Sequence, residues 1–251
     1  MSDFRVFCQP PDREPAELTL SADESHHLVN VIRARTGDTI VAFDGRGTEW
    51  VGKLEKADKR AAVIGIRSVL KAKPLPFEIT LGQALPKGQI MDAVVRKATE
   101  LGVARIVPLE SARTEVHLEG GRQERKVEKW RTASLEAAKQ CGNPWLPEIA
   151  PLETAKAFIA SARDYDLKLV ASLQPSARSL KSALADFRTA ERRAPVKVLW
   201  LIGPEGDFTP AEMNASAAAG FVPITLGPLV LRCETAAIYA LSILSYELLP
   251  T

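Results

Sequence analysis

Two glycine turns in the last third of the chain carry the residue types that could do chemistry. The first, Gly203-Pro204-Glu205-Gly206, follows the apolar run Val198 to Ile202 and leads into Thr209-Pro210-Ala211-Glu212. The run reads as a buried strand. Thr209 as N-cap, Pro210 at the first helical position and Glu212 three residues past the cap spell a capping box, so a helix starts there. The second turn, Leu226-Gly227-Pro228, joins the strand-like Ile224-Thr225 to a helix opened by Leu231-Arg232-Cys233-Glu234. Two such turns so close in sequence predict two loops at the carboxyl ends of neighbouring strands, where open α/β sheets bind ligands. Glycine lets the main chain approach a flat ligand, and N–H groups at helix starts read its edge. Arg232 at a helix start opposes the helix dipole, which points to a ligand rather than to stability. Glu234 complements that dipole, accepts a proton or orients Arg232, and all three readings stay open. A tight turn with no ligand is the plain alternative. GxGxxG and the Walker Lys-Ser/Thr are both missing, so dinucleotide and triphosphate sites lack their signatures.

Other candidates carry less. Lys87, Arg96, Lys97, Arg105, Arg113, Arg122, Arg125 and Lys126 form a basic run, yet Asp92, Glu100, Glu124 and Glu128 balance it as on a solvated helix face. Adjacent His26 and His27 point to different helix faces and lack an acid or cysteine at ligand spacing, so no metal site is expected. Arg33 and Arg35, just beyond that helix, suit phosphate or plain solvent. Ser-His-Asp and Cys-His catalysis have no local signature.

The elements that must position these residues fall into two rhythms. The first is one of hairpins: Thr39 to Phe43, the turn Asp44-Gly45-Arg46-Gly47, Thr48 to Leu54, then Ala61 to Ile66. It predicts a small β-barrel or sandwich, interrupted by a helix from Ala22 to Ile32 with Ser21 as cap. Lys71 to Pro76, with two prolines, is a linker, and the boundary is placed between a domain of residues 1–72 and one of 73–251. From Phe77 the pattern alternates strand and helix: a strand to Ala84, a helix from Gly88 to Leu101, a strand from Ala104 to Leu109. A charged helix from Arg122 to Gln140 and a strand from Leu167 to Leu173 follow. This alternation predicts a parallel sheet covered on both faces. The last helix, Glu234 to Leu249, is apolar nearly all round and requires either deep burial or a partner subunit.

Composition excludes several classes. The 251 residues hold 46% hydrophobic and 25% charged residues, with 33 basic against 31 acidic side chains for a net +2. Nucleic-acid binding must therefore come from a local basic surface. The three cysteines, Cys8, Cys141 and Cys233, lack CxxC spacing, which suits a reducing cytosol and neither disulfides nor zinc. With no signal-peptide pattern and no apolar run of membrane-spanning length, a cytoplasmic protein is expected.

Taken together, the motifs resemble the RsmE-type 16S ribosomal RNA uracil-N3 methyltransferases of the SPOUT class. The resemblance runs nearly end to end. It takes in His26-His27-Leu28, Val31-Ile32-Arg33 and Gly37-Asp38, then Lys97-Ala98-Thr99-Glu100-Leu101-Gly102 with Pro108 and Arg113. Glu136-Ala137-Ala138 with Gln140, Gly203 to Gly206, Leu226-Gly227, and Leu231-Arg232 with Glu234-Thr235-Ala236 complete it. The resemblance implies a PUA-like β-barrel that helps hold RNA and an α/β domain tied in a trefoil knot that binds S-adenosylmethionine (SAM). It further implies a homodimer, no metal and a 16S rRNA substrate within the assembled small ribosomal subunit. By position, the cofactor would be held by Leu173, Leu201, Ile202, Gly203, Pro204, Glu205, Gly206, Leu226, Gly227, Leu231 and Arg232. Arg232 and Glu234 would be catalytic. Arg33, Arg35, Lys97, Arg113 and Gln140 would contact RNA. Asp207 stands where the family usually has glycine, Leu229 and Asn143 where basic residues are common, and Cys233 where threonine is usual.

The implied reaction moves a methyl group to N3 of a uracil, which must lose its proton. Negative charge then develops on the ring, and Arg232 would stabilise it. A base within folded RNA must also be exposed or flipped. The rivals are a SPOUT methyltransferase acting on another RNA, a non-catalytic RNA-binding protein on the same fold, and an α/β enzyme using another nucleotide.

Overall fold

The computed structural model describes residues 4–11, 15–116 and 120–250. Contacts divide them into two compact units, one of residues 1–74 with 138–146, the other of 75–137 with 147–251. The second stretch of the small unit is the end of a long helix and the segment after it.

The small unit is a mixed five-stranded sheet of β1 (Phe4–Phe7), β2 (Glu17–Thr19), β3 (Thr39–Phe43), β4 (Thr48–Lys56) and β5 (Val63–Lys71), in the order β1-β3-β4-β5-β2. The two expected hairpins are β3–β4 and β4–β5, while β1 pairs β3 in parallel. Alternation along β4 buries Trp50 and Leu54, which join Val6, Leu18, Leu28, Ile40 and Ile64 in one core. The helix between β2 and β3 differs from the expected single rod. Ser21 caps α1 (Ala22–His26) by accepting from Glu24 N, but His27–Val31 widens into a π-helical turn. That turn lets Ala34 N reach back to Leu28 O (3.0 Å), with Leu28 fully buried and Arg33 at a φ of +64°.

The large unit is a seven-stranded sheet in which every pairing is parallel. In chain order it runs β6 (Glu78–Ala84), α2 (Ile90–Glu100), β7 (Arg105–Glu110), α3 (Gly121–Cys141), β8 (Glu148–Ile149) and β9 (Glu153–Thr154). Then come α4 (Ala155–Ser161), β10 (Leu167–Ala171), α5 (Leu180–Glu191), β11 (Lys197–Ile202), α6 (Pro210–Ala218), β12 (Val222–Ile224) and α7 (Cys233–Leu248). Strands buried on both faces explain their unbroken apolar runs. Trp200 and Ile202 of β11 face a core shared with α2, α5 and α7, whereas Leu199 and Leu201 face the other side with Phe158 and Met213. Two helices carry caps in the sequence that the alternation pattern passed over: Thr154 caps α4 and Ser179 caps α5.

The sheet order is β12-β10-β11-β6-β7-β8, with β9 also on β7. This corrects one expectation: the strands that lead into the two glycine turns, β11 and β12, are not neighbours. β11 has β6 on one edge and β10 on the other, so β12 takes the free edge of β10. Chain proximity sets the crossover length and does not set which edge is vacant.

Candidate active site

Because β10 lies between them, three strand ends rather than two converge, and they enclose a cavity of about 290 Å³. β10 contributes Ala171, Ser172 and Leu173. β11 contributes Ile202 to Glu205 and Asp207. β12 contributes Leu226, Gly227 and Leu229 to Cys233, with Ala236 one turn into α7. The wall is laced together locally: Ser172 N donates to Ile224 O (2.9 Å) and Asp207 N to Pro204 O (2.9 Å).

Each expected cofactor residue has a definite place. Leu173, Ile202, Gly203, Pro204, Glu205, Leu226, Gly227, Leu231 and Arg232 line the cavity. Leu201 is fully buried on the opposite face of the sheet. Gly206 lies outside the lining, and its carbonyl accepts from Arg113 Nη1 (2.7 Å). Ser172, Asp207, Leu229, Val230, Cys233 and Ala236 also line the cavity and were not among the expected ligand-holding positions. Ser172 could be found only by knowing that β10 ends beside β11, and Ala236 from its spacing of four after Arg232 on one helix face.

Gly203 fits because the turn folds back over it. A Cβ there would meet Asp207 Oδ1 at 3.0 Å and Phe208 N at 3.3 Å. The expected capping box then starts α6: Glu212 N donates to Thr209 Oγ1 (3.2 Å) and Thr209 N to Glu212 Oε2 (2.8 Å). The other oxygen of Glu212 takes the N–H of Ala112 (2.8 Å), tying the loop after β7 to the same helix start.

The polar groups gather on one side. Arg232 is the N-cap of α7, exposed, without a side-chain cap bond and without an ion pair among the described residues. Glu205 accepts from Lys87 N (3.0 Å) through Oε1, while the Lys87 ammonium pairs with Glu115 (2.8 Å). Cys233 donates to Glu234 Oε2 (3.4 Å) and has Glu205 Oε1 at 4.0 Å. Burial pushes the Cys233 thiol up to about 12, and the Glu234 and Glu205 carboxylates add to the shift. A thiol so placed stays protonated at neutral pH and is not a nucleophile. Glu234 holds Cys233, not Arg232, and reaches the cavity only through that thiol.

The expected RNA residues divide between the units. Arg33, Arg35 and Gln140 are exposed in the small unit, with Arg35 N bonded to Asp38 Oδ2 (2.7 Å). Lys97 and Arg113 are in the large unit, where Lys97 pairs with Glu100 (2.8 Å) and Arg113 is bonded to the cavity loop. Among the described residues no group of three or more His, Cys, Asp or Glu could hold a metal, and no helix is long and apolar enough to cross a membrane.

The site so described is lined by the apolar side chains of Ile202, Leu226, Leu231 and Ala236, and it also presents the Glu205 and Asp207 carboxylates and the Arg232 guanidinium. The RNA methyltransferase domain family matches residues 73–245, and the RNA methyltransferase PUA domain family matches residues 20–67. A Bacillus subtilis protein named ribosomal RNA small subunit methyltransferase E is 30% identical over 93% of this chain and 91% of its own. Among solved structures, a Legionella pneumophila chain described as a methyltransferase with bound SAM is 32% identical, with a TM-score of 0.89 over 98% of both chains. The Neisseria gonorrhoeae ribosomal RNA small subunit methyltransferase E bound to S-adenosyl methionine is 26% identical, with a TM-score of 0.86 over 98% of both chains.

Proposed function

The chain belongs to the RNA methyltransferase family whose members include ribosomal RNA small subunit methyltransferase E, and we propose that it methylates N3 of a uracil in 16S rRNA with SAM as methyl donor. The observation that carries the reading is the cavity at the ends of β12, β10 and β11, in a chain that aligns over 98% of its length with structures holding SAM. The lining fits that group: apolar side chains flank the space, and at Gly203 a Cβ would crowd Asp207. Bound there, SAM supplies a methyl group made electrophilic by its sulfonium. Ile202, Leu226 and Leu231 would flank the adenine and exclude water, and the Gly203–Glu205 turn would follow the ligand's edge. Glu205 and Asp207 place negative charge beside a cationic ligand, which favours SAM over a neutral analogue.

Arg232 is free to act on the second substrate. Its guanidinium, unpaired at the cavity wall, would offset the negative charge that forms on the uracil ring as N3 loses its proton. Glu234, half-buried and in touch with the cavity through Cys233, is our candidate for receiving that proton. Holding both substrates in line supplies much of the acceleration. Arg33, Arg35 and Gln140 would bind RNA from the small unit, Lys97 and Arg113 from the large one.

The same reading extends to assembly. α7 buries Ala237, Ala240, Leu241 and Leu244 but leaves Tyr239 at 46% and Tyr246 at 79% exposure, which supports a homodimer built on that helix. A trefoil knot through the 203–206 and 226–232 loops, a cytoplasmic location and action on the assembled small subunit belong to the same proposal.

Calorimetric titration with S-adenosylhomocysteine, followed by a methyl-transfer assay on small subunits lacking the modification, tests it. Binding near one per chain with transfer to uracil N3 is expected. No binding of either cofactor form would overturn the methyltransferase reading, and transfer to another atom would overturn the uracil assignment.

A further inference from the structure

A second surface lies within the small unit, where the segment after α3 folds onto the β3–β4 turn. Gly47 N donates to Pro144 O (3.1 Å) and Leu146 N to Gly45 O (3.0 Å). Trp145 N donates to Asn143 Oδ1 (2.9 Å), and Arg46 and Trp145 form an antiparallel bridge. Gly47 has a φ of +90°, and a Cβ on it would come within 2.2 Å of Trp145 Cζ2 and 2.6 Å of Cε2. The indole therefore lies against a bare Cα that no other residue type could offer.

The fold treats this tryptophan unlike its other three. Trp50, Trp130 and Trp200 are 4%, 2% and 0% exposed, whereas Trp145 is 36% exposed. A large aromatic held rigid yet wet is a contact surface more often than a packing element. What surrounds it indicates the partner. Arg46 is its neighbour in the bridge, and Lys71 and Lys73 flank Ala72, whose N–H donates to Gly47 O (2.8 Å). All three cations are exposed, and none has an ion pair among the described residues. The acids nearest in the chain are already engaged: Asp44 Oδ1 accepts from Arg46 N (2.7 Å) and Thr48 N (3.0 Å), and Glu49 is bound by Arg5.

We propose that Trp145, with Arg46, Lys71 and Lys73 around it, is a stacking platform for one unpaired base of a single-stranded RNA segment. Every base has a π-face that stacks on an indole, and the phosphates to either side would meet the three cations. A duplex keeps its bases stacked on one another and cannot use the ring in this way. A protein partner would want apolar surroundings, and the exposed charges on the segments bonded through Gly47 and Ala72 are the cations Arg46, Lys71 and Lys73. The proposal rests on the RNA-modifying reading above and assigns part of its substrate contact to the small unit.

The other three tryptophans are buried, so the part of the emission that a stacked base can quench by contact is that of Trp145, and Trp145→Ala should lose the quenching. The full-length protein is titrated with a short single-stranded oligoribonucleotide of mixed sequence. Saturable quenching is expected, weakening as salt rises. Measured by anisotropy of a labelled oligonucleotide, Trp145→Ala should lose affinity about tenfold or more, while Trp145→Tyr keeps most of it. The triple change of Arg46, Lys71 and Lys73 to Ala should weaken binding and flatten the salt dependence. Equal affinity of Trp145→Ala and wild type, or no quenching of the wild type, overturns the platform. S-adenosylhomocysteine titration of the same samples separates the two readings. Normal cofactor binding with unchanged RNA affinity in Trp145→Ala sinks only the platform, and absent cofactor binding in the wild type sinks the methyltransferase reading instead.

Discussion

The thiol of Cys233 donates to the carboxylate of Glu234 across 3.4 Å, so the first two residues of α7 are joined at the wall of the cavity. Sulfur in this place does what a hydroxyl would do, satisfying a half-buried carboxylate beside Glu205. Cys233→Thr should therefore retain cofactor affinity and transfer rate within about threefold, the size of one weak hydrogen bond. Cys233→Ala should lower kcat by leaving the Glu234 carboxylate unheld while S-adenosylhomocysteine still binds. A kcat equal to wild type would show that the pair has no part in the reaction.

Two thiols should be silent and one reactive. Cys8 and Cys233 are buried, both pushed up to about 12 mainly by burial, while Cys141 is exposed. An aromatic disulfide reagent should titrate one thiol quickly in the native protein and the other two only on unfolding. The same shifts bear on stability. Both thiols have a folded pKa above the unfolded value, so the stability they contribute is complete below about pH 8.5 and is lost as pH rises toward 12. Melting temperature should fall with pH above about 8.5, and less steeply in Cys8→Val and Cys233→Ala.

Arg232→Ala should lower methyl transfer roughly a hundredfold or more, the scale of removing one charge-stabilising group. S-adenosylhomocysteine should still bind it. Transfer near the wild-type rate would remove Arg232 from the chemistry. Gly203→Val, in contrast, should abolish cofactor binding by pushing the turn away from Asp207 and Phe208. Gly203→Ala serves as the milder form should the valine variant fail to fold.

Asp207 is one of three non-glycine residues with positive φ among the described residues, at +58°, and its Oδ1 accepts from Phe208 N (2.7 Å). Asp207→Gly should change stability by no more than about 1 kcal/mol, since glycine relieves the left-handed backbone and forfeits one hydrogen bond. Asp207→Val should cost about 1–2 kcal/mol, because a β-branched side chain fits that region worst. Urea midpoints would rank the three, and a valine variant as stable as wild type would contradict the strain argument.

The start of α6 gives a graded test. Thr209→Ala removes the cap and should cost about 1 kcal/mol. Glu212→Ala should cost more, since it removes the acceptor of both Thr209 N and Ala112 N and unties the loop after β7 from the helix start. Equal costs would mean that the Ala112 bond adds nothing.

Much of the large unit was legible in the residues themselves. The capping box at Thr209 and Glu212, the double-sided apolar run of β11 and the glycine turns that follow β11 and β12 are local, and local geometry follows from side chains a few residues apart. The same holds for the β3–β4 and β4–β5 hairpins, written in turn residues between alternating runs. Eight of the positions expected to hold a cofactor line one cavity because they sit at or on those turns.

What only the tertiary structure decided is non-local. That β10 lies between β11 and β12 depends on which sheet edges were vacant, and it brings Ser172 and Leu173 to the site. Leu201 faces away from the cavity and Ile202 faces into it because one residue reverses the face of a strand. Arg113 Nη1 donates to the Gly206 carbonyl, and Trp145 rests on Gly47, across separations of 93 and 98 residues that no periodicity spans. Local signals state which elements form and where they end. The packing of those elements, set by burial competing over the whole chain, selects which side chains meet.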